Sequence, residues 1–221
     1  HIALIEAGLP FEAEAIDIHT KRTASGADFL GINPKGYVPA LVLDSGETIT
    51  ENIAVLDWIA GQSSALRPES ALARTRVLEM LSFTSTEIHR AFRPLWHGGT
   101  DAEKQSARET VAKLFEFAAS RVRGDYLFGD KVGVADFYLF VMLRWAEKFG
   151  IAVPEALLRF QYRMEALASV QAAIAQEGLF LRSHAPSSAN GEAPHPGAAN
   201  VRENPQEHRF ERPIHDDVMA A

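Results

Sequence analysis

The chain has 221 residues, 47% hydrophobic and 9% aromatic, so it can build a substantial core as one large domain or two small ones. A formal net charge of −7 argues against a general nucleic-acid or anionic-membrane surface. The absence of cysteine excludes a disulfide framework, a thiolate metal site and a thiol nucleophile within this sequence. With no signal peptide and no apolar run long enough to span a bilayer, the chain reads as soluble and cytoplasmic.

The first zone runs to residue 65. A short helix over Ile2–Ile5 stops at Gly8 before Pro10. Alternating apolar and acidic residues predict a half-buried strand over Phe11–Ile18. A basic stretch with Lys21 and Arg22 leads into a short helical piece near Asp28–Ile32. The run Asn33-Pro34-Lys35-Gly36-Tyr37-Val38-Pro39-Ala40-Leu41 then sets a turn against an X-Pro bond at the mouth of the apolar segment Ala40–Asp44, which reads as a buried strand. Proline cannot donate to a sheet ladder, so Pro39 fits the first residue of a strand and suits the cis isomer. That geometry turns a backbone N–H and C=O outward, where an extended peptide can add as a strand, so a peptide-like ligand is expected. Ser45-Gly46 closes a hairpin with Glu47–Thr50, and a helix follows from Glu51-Asn52 to Ile59.

From Leu66 to Leu181 the pattern is helical throughout. Ala71–His97 reads as one helix with Leu78, Leu81, Ser85, Ile88, Phe92 and Leu95 on its apolar stripe. Beside them Ser82, Thr86, His89 and Arg93 form a polar stripe that faces a cleft or a partner subunit. Ala102–Val122 repeats the periodicity, Val134–Phe149 is apolar nearly all round, Pro154 opens another helix, and Val170–Gln176 forms the last. Gly133 and Asp136 make a cap before the central helix. Residues 182–221 change texture: Ser183–Pro205 is rich in Ser, Ala, Asn, Gly and Pro, as linkers are. His184, His195, His208 and His215 follow no regular spacing, so no metal site is expected.

Several of these pieces, in this order, resemble the cytosolic glutathione transferases, most closely the bacterial beta class. They are His1-Ile2-Ala3-Leu4, Glu6-Ala7-Gly8, the run Asn33 to Leu41, Leu43-Asp44 through Thr50-Glu51, Glu87-Ile88-His89-Arg90-Ala91-Phe92, Val134-Ala135-Asp136, Leu143-Arg144-Trp145-Ala146 and Glu177-Gly178-Leu179. The resemblance implies a truncated thioredoxin-like, glutathione-binding domain over 1–65, an all-helical domain over 66–181, and a homodimer. It implies that a first strand and a loop with the thiol-activating residue, usually cysteine, precede His1. The chain alone is then expected to be inactive, and poorly stable because that strand lies between Glu12–Ile18 and Ala40–Asp44.

For the site, the resemblance implies that Val38 and Pro39 clamp the cysteinyl part of glutathione, that Glu51 and Asn52 take its γ-glutamyl end and that Lys21 reaches the glycyl carboxylate. The same residues read structurally as a turn, a helix N-cap and a loop cation. His89 is assigned an auxiliary role on the sulfur or the acceptor, Ser82 and Thr86 reach the partner's glutathione, and Phe92 and Trp96 wall the pocket of a small electrophile. The expected activity is glutathione transfer to an electrophile or disulfide, without a metal. The alternative is a non-catalytic binding or regulatory module. Asn204-Pro205 and Arg209-Phe210-Glu211 weakly resemble the first strand of acetyltransferase-like domains, so 182–221 reads as a linker, a tail or the start of a fused domain.

Overall fold

The computed structural model describes residues 1–179; the expectations for the tail, including its four histidines and the acetyltransferase-like segment, lie outside them. The first part is α1 (Ile2–Glu6), β1 (Ile16–Asp17), β2 (Arg22–Thr23), a 3-10 turn (Phe29–Gly31), β3 (Ala40–Val42), β4 (Thr48–Thr50) and α2 (Asn52–Gln62). The helical part is α3 (Ala71–Phe83), a π-helical turn (Thr84–His89), α4 (Arg93–Trp96), α5 (Asp101–Ala119), α6 (Val134–Lys148), α7 (Glu155–Glu165) and α8 (Ala168–Gln176).

The strands form two separate antiparallel pairs among the described residues. In one, Ile16 faces Thr23 and Asp17 faces Arg22; in the other, Ala40 faces Thr50, Leu41 faces Ile49 and Val42 faces Thr48. The expected strand Phe11–Ile18 is therefore reduced to two residues. Local turn chemistry explains this: Asp17 Oδ1 accepts the N–H groups of His19 (2.9 Å) and Thr20 (3.1 Å), and Lys21 takes φ 56°, so the chain reverses at once. Ala13 and Ala15 are exposed, so the alternation buries no apolar face. The strand expected to be buried at Ala40–Asp44 is also a correction, because Val42 is 54% exposed in a sheet of only two strands.

The helix expected over 71–97 is broken into three pieces. Pro94 has no N–H for the Arg90 carbonyl, and the chain there turns through shorter bonds such as Leu95 N–H to Phe92 O (2.9 Å). The π-helical turn holds more residues per turn than an α-helix and changes which side chains share a face. Thr84, not Ser85, is fully buried on the apolar stripe.

α6 is the hub. Eleven of its residues are buried, and α1, α2, α3, α7 and the π-helical turn all pack on it. Around it lie Leu81, Ile88, Phe92, Phe115 and Phe160, each fully enclosed. α1 crosses to α8, where the His1 ring bonds Glu177 Oε1 and Gln176 Oε1, both at 2.8 Å.

The start of α6 is built as expected. The buried Asp136 carboxylate accepts the Gly133 N–H (2.7 Å) and the Leu127 N–H (2.9 Å), tying the preceding loop to the helix. Glycine returns no side-chain bond, and the Gly133 carbonyl instead accepts the Asp136 N–H at 3.0 Å. Burial pushes the Asp136 carboxyl from 3.8 up to about 7, against the pull of its backbone donors. Asp136→Ala leaves the buried Leu127 N–H and the half-buried Gly133 N–H unpaired, each worth about 1–3 kcal/mol, and should lower unfolding free energy in urea by ~2–6 kcal/mol. An acid raised in the fold binds its proton more tightly there than in the unfolded chain. Its contribution is complete below pH 3.8 and fades as pH rises through about 7. Asp136→Asn should flatten the stability profile across that window; an unaltered profile would refute the assignment.

Candidate functional site

The loop between the 3-10 turn and β3 is held from inside by Asn33, which is 2% exposed. Its Nδ2 donates to the Tyr37 carbonyl (2.6 Å) and its Oδ1 accepts the Lys35 N–H (3.2 Å). The Gly36 N–H donates to the Asn33 carbonyl at 2.9 Å, closing a turn with Pro34 in its second position. Gly36 sits at φ 68°, and a Cβ there would come within 3.3 Å of the Leu30 and Lys21 side chains. Glycine is favoured at this point. Lys21 Nζ donates to the Gly36 carbonyl (2.7 Å) and lies 5.8 Å from the centre of the Tyr37 ring.

The Val38–Pro39 bond is cis. Because Ala40 pairs with Thr50, the hairpin register returns Glu51 to a place beside Pro39. Asn33, Tyr37, Val38, Pro39, Thr50 and Glu51 line a pocket of about 40 Å³ between the loop and the start of α2. Val38 makes no backbone hydrogen bond among the described residues, so its N–H and C=O are open to a ligand.

Glu51 has φ 69° and ψ 121°, a conformation that non-glycine residues rarely adopt and that clusters at binding sites. Its side chain does not cap α2; its carboxylate pairs instead with Lys35 Nζ. The first N–H groups of α2 have no intrahelical acceptor, and they carry the positive end of the helix dipole. The pocket thus joins a carboxylate, the uncapped start of a helix and an open Val38 backbone, with Lys21 and Lys35 held against its lining residues Tyr37 and Glu51.

Asn52 occupies the first helical position, not the N-cap expected of it. Its side chain lies near the Tyr138 hydroxyl. His89 Nδ1 lies 2.7 Å from the same hydroxyl, and the imidazole stands edge-on to Trp145 at 4.8 Å. Burial holds the His89 pKa below its ordinary value.

The expected polar stripe is split. Ser82 and Thr86 are exposed, with Thr86 Oγ1 donating to the Ser82 carbonyl (3.0 Å), whereas His89 is turned inward to α6 by the π-helical turn. Phe92 is fully buried against Trp145 and Phe149, so it walls no open pocket. Trp96 is half-buried, with Lys148 Nζ 4.0 Å above its ring. The structure therefore gathers Val38, Pro39 and Glu51 at the pocket, with Lys21 and Asn52 adjoining it, while Ser82, Thr86 and Trp96 lie apart. Asn33, Lys35, Tyr37, Thr50 and Tyr138 were not singled out from the sequence. Tyr138 carried a signal, the one hydroxyl in a helix that is apolar nearly all round.

Residues 1–62 match the family model "Glutathione S-transferase, N-terminal domain", and residues 77–167 match "Glutathione S-transferase, C-terminal domain". Glutathione S-transferase GstA of Escherichia coli O157:H7 is 34% identical over 186 residues, covering 81% of this chain and 92% of that protein. A sphingomonad glutathione S-transferase solved in complex with glutathione superposes with a TM-score of 0.76 at 41% identity. A ternary complex of BphK, a bacterial transferase, superposes with the same score at 38% identity. Both superpositions cover 81% of this chain and 93% of the other. The thioredoxin-like first part with small sheets, followed by a helical part, is the architecture these structures share with the chain.

Asn33→Ala should destabilise the protein by about 1–3 kcal/mol, because it orphans the Tyr37 carbonyl and the Lys35 N–H. Lys35→Ala removes only an exposed ion pair and should stay within ~1 kcal/mol of the parent. Equal losses for the two in chemical denaturation would overturn this account of the loop.

Proposed function

The chain belongs to the glutathione S-transferase family, and from that premise we propose that its pocket binds glutathione and that it transfers the glutathione sulfur to a small electrophile or disulfide. The observation that carries this reading is the open Val38 backbone facing a pocket that also holds Glu51 and the uncapped start of α2. Glutathione has a peptide group, an ammonium and two carboxylates, and the pocket has a complement for each.

The cysteinyl peptide unit lies along Val38 as an added strand. The γ-glutamyl carboxylate sits at the first N–H groups of α2, where the dipole favours an anion. The ammonium is taken by Glu51, whose carboxylate is already turned toward the pocket rim with Lys35. Lys21 faces the glycyl carboxylate, anchored by the Gly36 carbonyl. The sulfur is then nucleophilic as the thiolate, a form that positive potential and hydrogen-bond donors favour. His89 serves as an auxiliary donor to the sulfur or the acceptor.

The same reading makes the protein a homodimer in which the exposed Ser82 and Thr86 reach toward the partner's glutathione, and a cytoplasmic one. No helix among the described residues is long and apolar enough to cross a membrane.

Retention on immobilised glutathione, followed by calorimetric titration, tests the assignment. Glu51→Ala removes a charged hydrogen-bond acceptor worth about 1.5–3 kcal/mol, so affinity should fall by about 10- to 100-fold. Affinity unaltered by Glu51→Ala would remove the pocket from consideration.

A further inference from the structure

Glu51 lines the pocket, and its backbone is fixed on both sides. Thr50 before it pairs with Ala40 across the hairpin, and the Glu51 carbonyl accepts the Val55 N–H at 3.0 Å. Its side chain does not cap α2 and pairs instead with Lys35 Nζ. The lysine comes from the facing loop, the one that continues to Val38. There its own N–H donates to Oδ1 of the buried Asn33 at 3.2 Å. Both backbones are thus anchored, and the two side chains can meet or part without moving them.

The contact sets an ammonium on the carboxylate that lines the pocket. A ligand that brings an ammonium of its own meets a site already holding that chemical group. A carboxylate has lone pairs enough for two donors, but two cations about 4 Å apart repel each other even in water. The pair is also easy to part. The Lys35 and Glu51 side chains are 49% and 70% exposed, and an exposed lysine–carboxylate pair is weak. The lysine has a flexible four-carbon stem and open solvent beside it. A ligand's ammonium, fixed by the rest of the molecule along Val38, has no such freedom.

We propose that Lys35 is an internal competitor at the pocket: in the free protein its ammonium occupies the Glu51 carboxylate, and the ammonium of an incoming ligand displaces it. The inference rests on the glutathione reading above and adds a consequence for selectivity. Only a ligand whose own ammonium reaches Glu51 has to expel the lysine. Lys35 therefore lowers the affinity of ligands with a free amine and leaves those with a blocked amine unaffected. It tempers the preference that Glu51 alone would give.

Calorimetric titration of the full chain at neutral pH, with glutathione and with glutathione acetylated on its γ-glutamyl amine, tests this. Lys35→Met keeps the apolar stem and removes the charge. It should raise the affinity for glutathione by about two- to fivefold, the scale of one exposed ion pair, and alter that for the acetylated peptide by less than about twofold. Lys35→Arg keeps a cation and should bind glutathione no more tightly than the parent. Glutathione affinity unaltered or lowered in Lys35→Met overturns the proposal. So does a gain shared by Lys35→Arg, or an equal gain for the acetylated peptide, since neither follows from competition between ammonium groups. Each of these results requires that the parent bind glutathione, so each strikes the competitor and leaves the proposed function standing. Binding by neither the parent nor Lys35→Met sinks the glutathione reading and the competitor with it, whereas binding by Lys35→Met alone supports both.

Discussion

A helix enclosed by its neighbours must find a partner for every polar group it carries, because an unpaired one in the interior costs about as much as several well-packed methyl groups contribute. Three polar side chains of α6 each fasten a different part of the protein to the hub. Asp136 takes the N–H groups of Gly133 and Leu127 and so holds the loop before the helix. Tyr138 meets His89 of the π-helical turn. Arg144 lies 3.6 Å from Glu147 and 3.9 Å from Glu165, the latter on α7. The apolar residues between them drive burial without direction; these three set the arrangement around the helix.

The pocket depends on the same hub from the opposite side. α2 packs on α6 through an apolar face that includes Val55 and Ile59, which leaves its N-terminus directed at the loop carrying Val38. That loop is held by Asn33 and Gly36 rather than by strand pairing. A backbone kept in place by side-chain bonds can leave its own N–H and C=O open, which a central strand cannot. This is why a peptide-like ligand suits the position and why Asn33, though it touches no ligand, belongs to the site.

Much of the chain was legible because its signals are local. The turn and proline at Asn33–Pro39, the hairpin at Ser45-Gly46, the α5 periodicity, the apolar run of α6 and the Asp136 cap each arise within a few residues. The failures share a different origin. Phe11–Ile18 alternates correctly, yet strand formation needs a partner and a covered face, and the Asp17 turn folds the segment back first. Helical periodicity assumes 3.6 residues per turn, so the π-helical turn at Thr84–His89 invalidated the stripe that put His89 with Ser82 and Thr86. Phe92 matched an aromatic wall by type, and packing against Trp145 made it core.

What the amino-acid sequence alone determined was the ordered set of local pieces: a proline-bearing loop before a hairpin, an acidic residue opening a helix, and a series of amphipathic helices around an apolar one. Periodicity, turn chemistry and capping act over a few residues, and the chain writes them out directly. What only the tertiary structure decided was the direction of particular side chains. His89 turns inward to the Tyr138 hydroxyl, and Lys35 pairs with Glu51. Those partners lie sixteen and forty-nine positions apart along the chain, and only the hairpin register and the packing of the π-helical turn on α6 bring them together.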